Sequence, residues 1–432
     1  MKRVLAAICG LVLALLVTGP AEARPGAFPK GFLWGASVSG FQHEGHFPDS
    51  NWTRYVAKSD GNPYKNAADF RHRYREDLER AARMGVNAFR TSIEWARIEP
   101  ARGKWDWKEV RYYDDMVATM RRLGMRPMLT LTHFAHPGWV HDRGAWTDDR
   151  TVEDWLRFAR FVVERYKGQD VLWVTFNEAS FYIYDEYRMG ALKLSQIPKM
   201  SSNLVKAHRR AYDMIHRLDP GAKVTTNTAY SSVLTPLFDR ALFTEVTDKI
   251  DFIGLDYYLG SSLSNTTAIH TLTKEYWKIQ PEPDGLYYTL LDYRKKFPKL
   301  PIYIIENGSF TMNGRQVFKD YSRTDYLRDH LYWIHRAIQD GVKVFGYNYW
   351  ALIDSYEWGV GAYTPRFGLY QVDVLKDPSL KRRTTPLVAA YRKIIRRNGL
   401  PSGYVPVRKP GWCLLQDPKN TCLKTTPTPP IP

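Results

Sequence analysis

The chain has 432 residues, of which 44% are hydrophobic and 25% are charged, as in an ordinary soluble globular protein with an ample core. Its formal net charge of +17 allows a weak attraction to anionic surfaces. The basic residues are scattered among acidic ones and form no nucleic-acid-binding motif, so the composition gives no support for a nucleic acid partner.

The N-terminus has the three parts of a secretory signal peptide. Lys2 and Arg3 supply the positive start, Val4 to Val17 the apolar run, and Ala21 to Ala23 a small-residue cleavage site. The apolar run is 14 residues long, too short for a comfortable membrane span, although an uncleaved anchor is the alternative. We therefore predict cleavage after Ala23 and a secreted or periplasmic protein.

Strand-like and helical stretches alternate along residues 24–400. The predicted strands cover residues 32–37, 88–93, 126–132, 171–176, 223–227, 252–255, 301–305 and 344–349. The main predicted helices cover residues 74–84, 106–123, 152–166, 203–218, 285–297, 324–340 and 386–397. Eight strands alternating with helices favour a single α/β domain, a closed (β/α)8 TIM barrel. A doubly wound open sheet is the alternative, but the chain lacks the glycine-rich phosphate loop of that fold.

Residues 401–432 form a proline-rich C-terminal tail beyond the last predicted helix. Cys413 and Cys422 lie in this tail and are the cysteines that remain after signal cleavage. In an oxidising compartment, two nearby thiols predict a disulfide, whereas a metal site would need more ligands than the tail offers. We expect residues 425–432 to be disordered.

Two of the predicted strands end in a glutamate. The apolar run Ile302 to Ile305 stops at Glu306, and the run at residues 171–176 ends in Asn177 and Glu178. A carboxylate at the end of a buried strand is costly unless it is paired or takes part in chemistry. Because the carboxyl ends of barrel strands share one rim, we predict that both glutamates act on one substrate.

Other polar and aromatic residues fall at the same predicted rim: Gln42, Arg90, His133, Tyr258 and the segment from Trp350 to Trp358. Amides and carboxylates hydrogen-bond hydroxyl groups, and indole rings stack on the C–H faces of sugars, so this set suits a sugar substrate. The spacing of His133 and His136 also occurs in metal sites, but without further ligands we predict no metal and no cofactor.

Five sequence motifs indicate a resemblance to a known family. It resembles glycoside hydrolase family 1, the β-glucosidase and β-galactosidase family, over nearly all of residues 28–400. The motifs are FLWGASVSGFQHEG (32–45), TFNEAS (175–180), IGLDYY (253–258), IIENG (304–308) and WALIDSYEWGVGAYTPRFGLYQVD (350–373). The resemblance implies a TIM-barrel enzyme that hydrolyses a terminal β-linked sugar with retention of configuration. Two alternatives stay open: a transglycosylase with a sugar or lipid acceptor, and a sugar-binding protein without turnover.

The resemblance also implies a role for each residue of the rim. Glu306 would be the nucleophile and Glu178 the general acid/base. Tyr258 would hydrogen-bond the nucleophile, and the charge of Arg90 would hold it ionised. The remaining residues would bind sugar: Gln42, His133 and Asn177 at the secondary hydroxyls, Glu357 and Trp358 at the far edge, and Trp350 at the floor.

The sequence departs from the family pattern in several places. Asp256 stands where the family has asparagine; further departures are Phe134, Ala179 and Ile305 in place of tryptophan, proline and threonine. An ionised Asp256 would repel Glu306 and raise the apparent pKa of the pair, whereas an ion pair with a basic residue below the pocket would leave that pKa unchanged. The loop after strand 8 carries Glu357 and lacks the serine-and-lysine phosphate clamp of relatives that cleave 6-phosphorylated sugars, which favours an unphosphorylated sugar.

Overall fold

The computed structural model describes residues 26–230, 243–259, 275, 278–358, 361–410 and 428–431. The predicted signal peptide and the predicted Cys413–Cys422 disulfide lie outside these ranges. Within them, one sheet contains nine strands: β1 (Leu33–Ser37), β2 (Ala88–Ser92), β3 (Arg126–Thr130), β4 (Leu172–Val174), β5 (Lys223–Thr225), β6 (Asn227–Ala229), β7 (Ile253–Asp256), β8 (Ile302–Asn307) and β11 (Val344–Trp350). Two small hairpins pair β9 (Thr311–Met312) with β10 (Arg315–Gln316) and β12 (Tyr370–Gln371) with β13 (Arg383–Thr384).

The large sheet is parallel and curls into a barrel. Its strand order is β5-β4-β3-β2-β1-β11-β8-β7-β6, so the first and last strands of the order are neighbours in sequence. Only Thr226 separates β5 from β6, and these two pieces pair with β4 and β7 respectively. Counted together, β5 and β6 are the fifth of eight barrel strands, and the predicted (β/α)8 fold is confirmed.

Helices follow most of the strands: α1 (Gly40–Glu44), α2 (Asn51–Ala57), α3 (Phe70–Met84), α4 (Trp95–Ile98), α5 (Trp107–Arg122), α6 (Gly138–His141), α7 (Arg150–Tyr166), α8 (Ala179–Arg188), α9 (Ile197–Leu218), α10 (Pro283–Lys296), α11 (Arg323–Gln339) and α12 (Pro386–Arg397). The predicted helix at 203–218 begins six residues earlier than expected, because Pro198 occupies the first turn, where its missing N–H is not needed. None of the described helices combines the length and apolar character needed to cross a membrane.

Two apolar clusters stabilise the barrel. The larger packs the helices against the strands. The smaller draws its side chains from β3, β4, β8 and the residue before β7: Met128, Leu172, Val174, Phe252, Tyr303 and Ile305. Burial of such side chains contributes about 1.5–3 kcal/mol each. The clusters give the polar rim described below a rigid support.

The C-terminal tail differs from its predicted disorder at residues 428–431. Ile431 is only 3% exposed, and its backbone exchanges hydrogen bonds with Gly403 at 2.7 Å and Tyr404 at 2.9 Å. The Tyr332 hydroxyl donates to the Pro429 carbonyl at 2.6 Å. The predicted disorder is wrong for these four residues, because Ile431 is buried among other apolar side chains, which the proline content does not reveal.

Candidate active site

Glu306, near the carboxyl end of β8, is held by two donors. It is buried, and its Oε1 forms an ion pair with Nη1 of Arg90 on β2. The Tyr258 hydroxyl donates to its Oε2 at 2.5 Å. Arg90 is itself fully buried and donates through Nε to Thr130 Oγ1 at 3.1 Å. Because both groups donate to the Glu306 oxygens, the site presents Glu306 as an anion.

Glu178 lies at the junction of the β4 loop and α8, in a left-handed backbone conformation with φ 37° and ψ 59°. Burial, followed by the charge of Glu306, raises the pKa of Glu178 to about 8. Carboxyl oxygens of Glu178, Glu306 and Asp256 all lie within 4.8 Å of one another. Glu178 is therefore protonated at neutral pH beside an ionised Glu306. A protonated carboxyl group can act as the acid while an ionised one acts as the nucleophile.

Asp256, at the end of β7, is the third carboxyl group of the site. Its Oδ2 accepts a hydrogen bond from the Asn227 amide, and its carboxyl group hydrogen-bonds to Glu178. Burial, followed by the charges of Glu306 and Glu178, raises the pKa of Asp256 well above its usual range. Among the described residues no basic side chain forms an ion pair with Asp256, so the ion-pair expectation is not met. The raised pKa favours the protonated form of Asp256, which can donate to Glu178.

A chain of amides joins this carboxyl cluster to the rest of the rim. Asn227 Nδ2 also donates to Asn177 Oδ1 at 2.8 Å, and Asn177 Nδ2 lies 3.3 Å from His133 Nε2. Arg90 Nη2 donates to the same Asn177 oxygen. Asn227 is a site residue that the motifs did not reveal, although an amide at the end of a predicted strand was the available signal.

Aromatic rings form one wall of the site. The His133 ring stacks with Trp350 at 5.9 Å and with Trp358 at 6.0 Å between ring centroids. His133 Nδ1 and Trp358 Nε1 are buried and have no hydrogen-bond partner among the described residues. Buried polar atoms are rarely left unpaired, so these two nitrogens are available to a ligand.

Glu357 and Gln42 come from the loops after the eighth and first barrel strands. Ser355 Oγ donates to Glu357 Oε1 at 2.9 Å, and burial raises the pKa of Glu357 to about 8. Gln42 Nε2 donates to the Tyr356 carbonyl at 2.9 Å, which joins the two loops. Glu44, two residues from Gln42, instead forms a buried ion pair with Arg97 and has a structural role.

The paired carboxyls, the amide chain and the aromatic wall lie at the carboxyl ends of the barrel strands, where enzymes of this fold have their active sites. This combination defines a glycoside hydrolase type of site. The family model described as "Glycosyl hydrolase family 1" matches residues 24–241 and 225–400. The chain belongs to this family and is a glycoside hydrolase.

Individual relatives agree with the family. Beta-glucosidase A of Thermotoga maritima is 28% identical over an alignment of length 450. The alignment covers 86% of this chain and 98% of that protein. The chloroplastic galactolipid galactosyltransferase SFR2 of Arabidopsis thaliana is 30% identical over 359 residues, covering 74% of this chain and 57% of the relative. A solved structure, the family 1 β-glucosidase from Thermotoga maritima, matches the fold with a TM-score of 0.75, 24% identity and coverage of 87% of this chain and all of that one.

Proposed function

We propose that this protein is an exported, retaining β-glycosidase that releases the terminal, non-reducing, unphosphorylated sugar of a β-glycoside or oligosaccharide. The observation that carries the proposal is the separation of the two glutamates, whose nearest carboxyl oxygens lie within 4.8 Å. Retaining enzymes have carboxyl groups about 5–5.5 Å apart, whereas inverting enzymes need about 6.5–9.5 Å to fit a water molecule.

In the first step Glu306 attacks the anomeric carbon, and the bond from that carbon to the leaving-group oxygen breaks. Glu178 gives its proton to that oxygen, so the aglycone leaves as a neutral alcohol. The sugar is now esterified to Glu306, whose charge is lost. That loss removes the repulsion that raises the pKa of Glu178, and Glu178 becomes a base suited to the next step.

In the second step a water molecule attacks the same carbon from the face that the aglycone left. Glu178 takes the proton of the water, and the ester bond to Glu306 breaks. Two inversions at one carbon return the β configuration. Arg90 and Tyr258 recover their carboxylate partner, which favours completion of the cycle.

Several residues support the substrate class. The unpaired His133 Nδ1 and Trp358 Nε1 can contact sugar hydroxyls, and Trp350 offers a flat face for the ring. The carboxyl group of Glu357, neutral at neutral pH, can both donate to and accept from hydroxyl groups. Glucose, galactose and fucose types all fit this pattern. The name β-glucosidase carried by the relatives supports a β-linked sugar.

The proposal is tested by a screen of aryl β-glycosides, followed by proton NMR of the first sugar released. We expect a β-anomer in the opening minutes; an α-anomer would show an inverting enzyme. Glu306→Gly should abolish turnover, and added azide or formate should restore part of it by replacing the lost carboxylate. Glu357→Gly is the matched control, because it also deletes a glutamate but should gain nothing from azide.

A transglycosylase is the second candidate, and the 30% identity to a galactolipid galactosyltransferase favours it. The first step would be the same, but a sugar or lipid hydroxyl would replace water in the second. Product analysis with and without added sugar or galactolipid acceptors separates the two functions. Transfer products that outnumber free sugar at low acceptor concentration would establish the transferase.

A further inference from the structure

Three side chains of types that bind metals form a cluster separate from the three carboxyl groups of the active site. His136 follows β3 in the loop that also carries His133, His141 ends α6, and Glu186 lies on α8. One potential ligand atom from each of these three side chains lies within 4.8 Å of the other two. We call this group the His136–His141–Glu186 cluster.

Each histidine of the cluster has a buried ring nitrogen without a partner. His136 is fully buried, and its Nδ1 contacts the Tyr182 hydroxyl at 2.5 Å, which leaves Nε2 as the free nitrogen. Neither Nε2 of His136 nor Nδ1 of His141 has a hydrogen-bond partner among the described residues. The two rings stack with centroids 5.6 Å apart. Two buried, unsatisfied nitrogens in adjacent rings call for a ligand that both can bind.

Hydrogen bonds hold the carboxyl group of Glu186, the third potential ligand, in a defined orientation. It is 2% exposed, its Oε1 accepts from Asn51 Nδ2 at 2.8 Å, and its Oε2 accepts from the Tyr55 hydroxyl at 2.9 Å. A carboxylate oxygen has lone pairs for more than one partner, so these donors orient the group and leave room for a cation. Hydrogen bonds of this kind around a ligand are typical of metal sites.

We propose that the His136–His141–Glu186 cluster binds a divalent transition-metal ion of the zinc type. Two imidazoles and one carboxylate are a donor set that Zn²⁺ accepts, with a fourth position for water. Metal–ligand bonds of about 2.0–2.2 Å place the ligand atoms of a tetrahedral site about 3.3 Å apart, a spacing inside the 4.8 Å limit that the three side chains already meet.

The protonation of the three side chains agrees with this geometry. Burial lowers the pKa of His136 well below its usual range, and burial also lowers the pKa of His141. Both imidazoles are therefore neutral, which is the form that binds metals. Burial raises the pKa of Glu186 to about 7, so a bound cation would replace a proton at that carboxyl group.

The ion would have a structural role, because the cluster joins segments that support the substrate pocket. Asn51 on α2 accepts from the His136 backbone N–H at 2.9 Å and donates to the Phe134 carbonyl at 2.9 Å. The same loop carries His133, and α8 begins directly after Glu178. A metal at the cluster would fix α6, α8 and this loop to one another without contacting the reacting atoms, and Asn51 would connect α2 to them through its hydrogen bonds.

The test uses the full chain without a histidine tag, stripped with a chelator and titrated with Zn²⁺ and, separately, Co²⁺. We expect one equivalent of Zn²⁺ to bind, the melting temperature to rise, and Co²⁺ to give the visible absorption of a four-coordinate site. Glu186→Gln and His141→Gln should each weaken Zn²⁺ binding by a factor of about ten or more, since ligand losses typically have at least that effect. His141 is half-buried, so its variant keeps the test decisive even where Glu186→Gln fails to fold.

A second histidine group provides the matched control. His46, Asp69 and His72 also bring ligand atoms within 4.8 Å of one another, but both histidines are exposed. His72→Gln should bind Zn²⁺ as the unaltered protein does. Absence of saturable Zn²⁺ binding to the unaltered chain would overturn the proposal. Binding that is lost in His72→Gln and kept in His141→Gln would overturn it equally, by assigning the metal to the exposed group.

Discussion

The ionisation of Asp256 can be decided by replacing it with two residues that differ in hydrogen bonding. Asp256→Asn removes the ionisable group and keeps an N–H donor toward Glu178, whereas Asp256→Leu removes the donor as well. Because burial and two neighbouring carboxyls raise the pKa of Asp256 well above its usual range, we expect it to be uncharged where the enzyme works. Neither substitution should then change the charge around Glu306.

The separation of the carboxyl groups sets the size of the effect. Two ionised carboxylates at the 4.8 Å limit repel each other by about 3.5 kcal/mol at an effective dielectric constant of about 20, and closer ones repel each other more strongly. Removal of such a charge would move the acid limb of the kcat/KM profile down by about 2.5 pH units. For a neutral Asp256 we expect the acid limb to stay in place in both variants.

The basic limb should respond differently to the two substitutions. The pKa of Glu178 is raised to about 8, so the rate should fall as Glu178 loses its proton through that pH. The hydrogen bond from Asp256 stabilises the ionised form of Glu178 and opposes that rise. A hydrogen bond to a charged group contributes about 1.5–3 kcal/mol, so Asp256→Leu should move the basic limb up by about 1–2 pH units. Asp256→Asn should move it less.

The assay is kcat/KM for an aryl β-glycoside across the pH range, with a melting curve for each variant. A fall of the acid limb by about 2 pH units in Asp256→Asn would show that Asp256 is ionised and would refute the neutral assignment. A basic limb that stays in place in Asp256→Leu would refute the hydrogen bond to Glu178. A lower melting temperature with both limbs unmoved would leave Asp256 with a purely structural role.

Three further predictions concern the acid, the C-terminus and export. Glu178→Ala should slow unactivated glycosides far more than aryl glycosides with good leaving groups, because these need little protonation; equal losses, measured by kcat/KM, would contradict an acid role. Ile431→Ala should lower the free energy of unfolding by about 2 kcal/mol in denaturant titrations. Pro430→Ala, at an exposed neighbouring position, should have little effect. Intact-mass analysis of exported protein should give a chain that begins at Arg24 and lacks two hydrogens through a Cys413–Cys422 bond. Free thiols would exclude that bond, and activity should survive its reduction.

The barrel and both central glutamates could be predicted from the sequence because their signals are local. Several barrel strands are short apolar runs with a polar residue at or just beyond the carboxyl end, and the parallel arrangement brings those ends together. Glu178 and Glu306 could therefore be paired without knowledge of the packing. The same reasoning predicted the position of Asp256 but not its protonation, which depends on burial and on two carboxyls from other strands.

Other features depend on packing that no single segment encodes. The His136–His141–Glu186 cluster brings together side chains from a loop, α6 and α8. In the sequence, the metal-site spacing was that of His133 and His136, which is a different pair of histidines. Helix α8 begins immediately after Glu178. The hydrophobic pattern of the sequence did not distinguish the end of the preceding strand from the start of this helix. The burial of Ile431 depends on its place in the larger apolar cluster, whose other members lie far from it in the chain.

The left-handed backbone at Glu178 has a consequence for how this position tolerates change. A left-handed conformation costs an ordinary L-residue about 1–2 kcal/mol, and glycine escapes that cost. Among replacements at position 178, glycine should therefore be the most heat-resistant and β-branched residues the least. Selection for folding alone would favour glycine here. A library of variants sorted only for thermal resistance should therefore become enriched in folded proteins that lack the catalytic acid. Directed evolution of this enzyme accordingly needs an activity screen at every round.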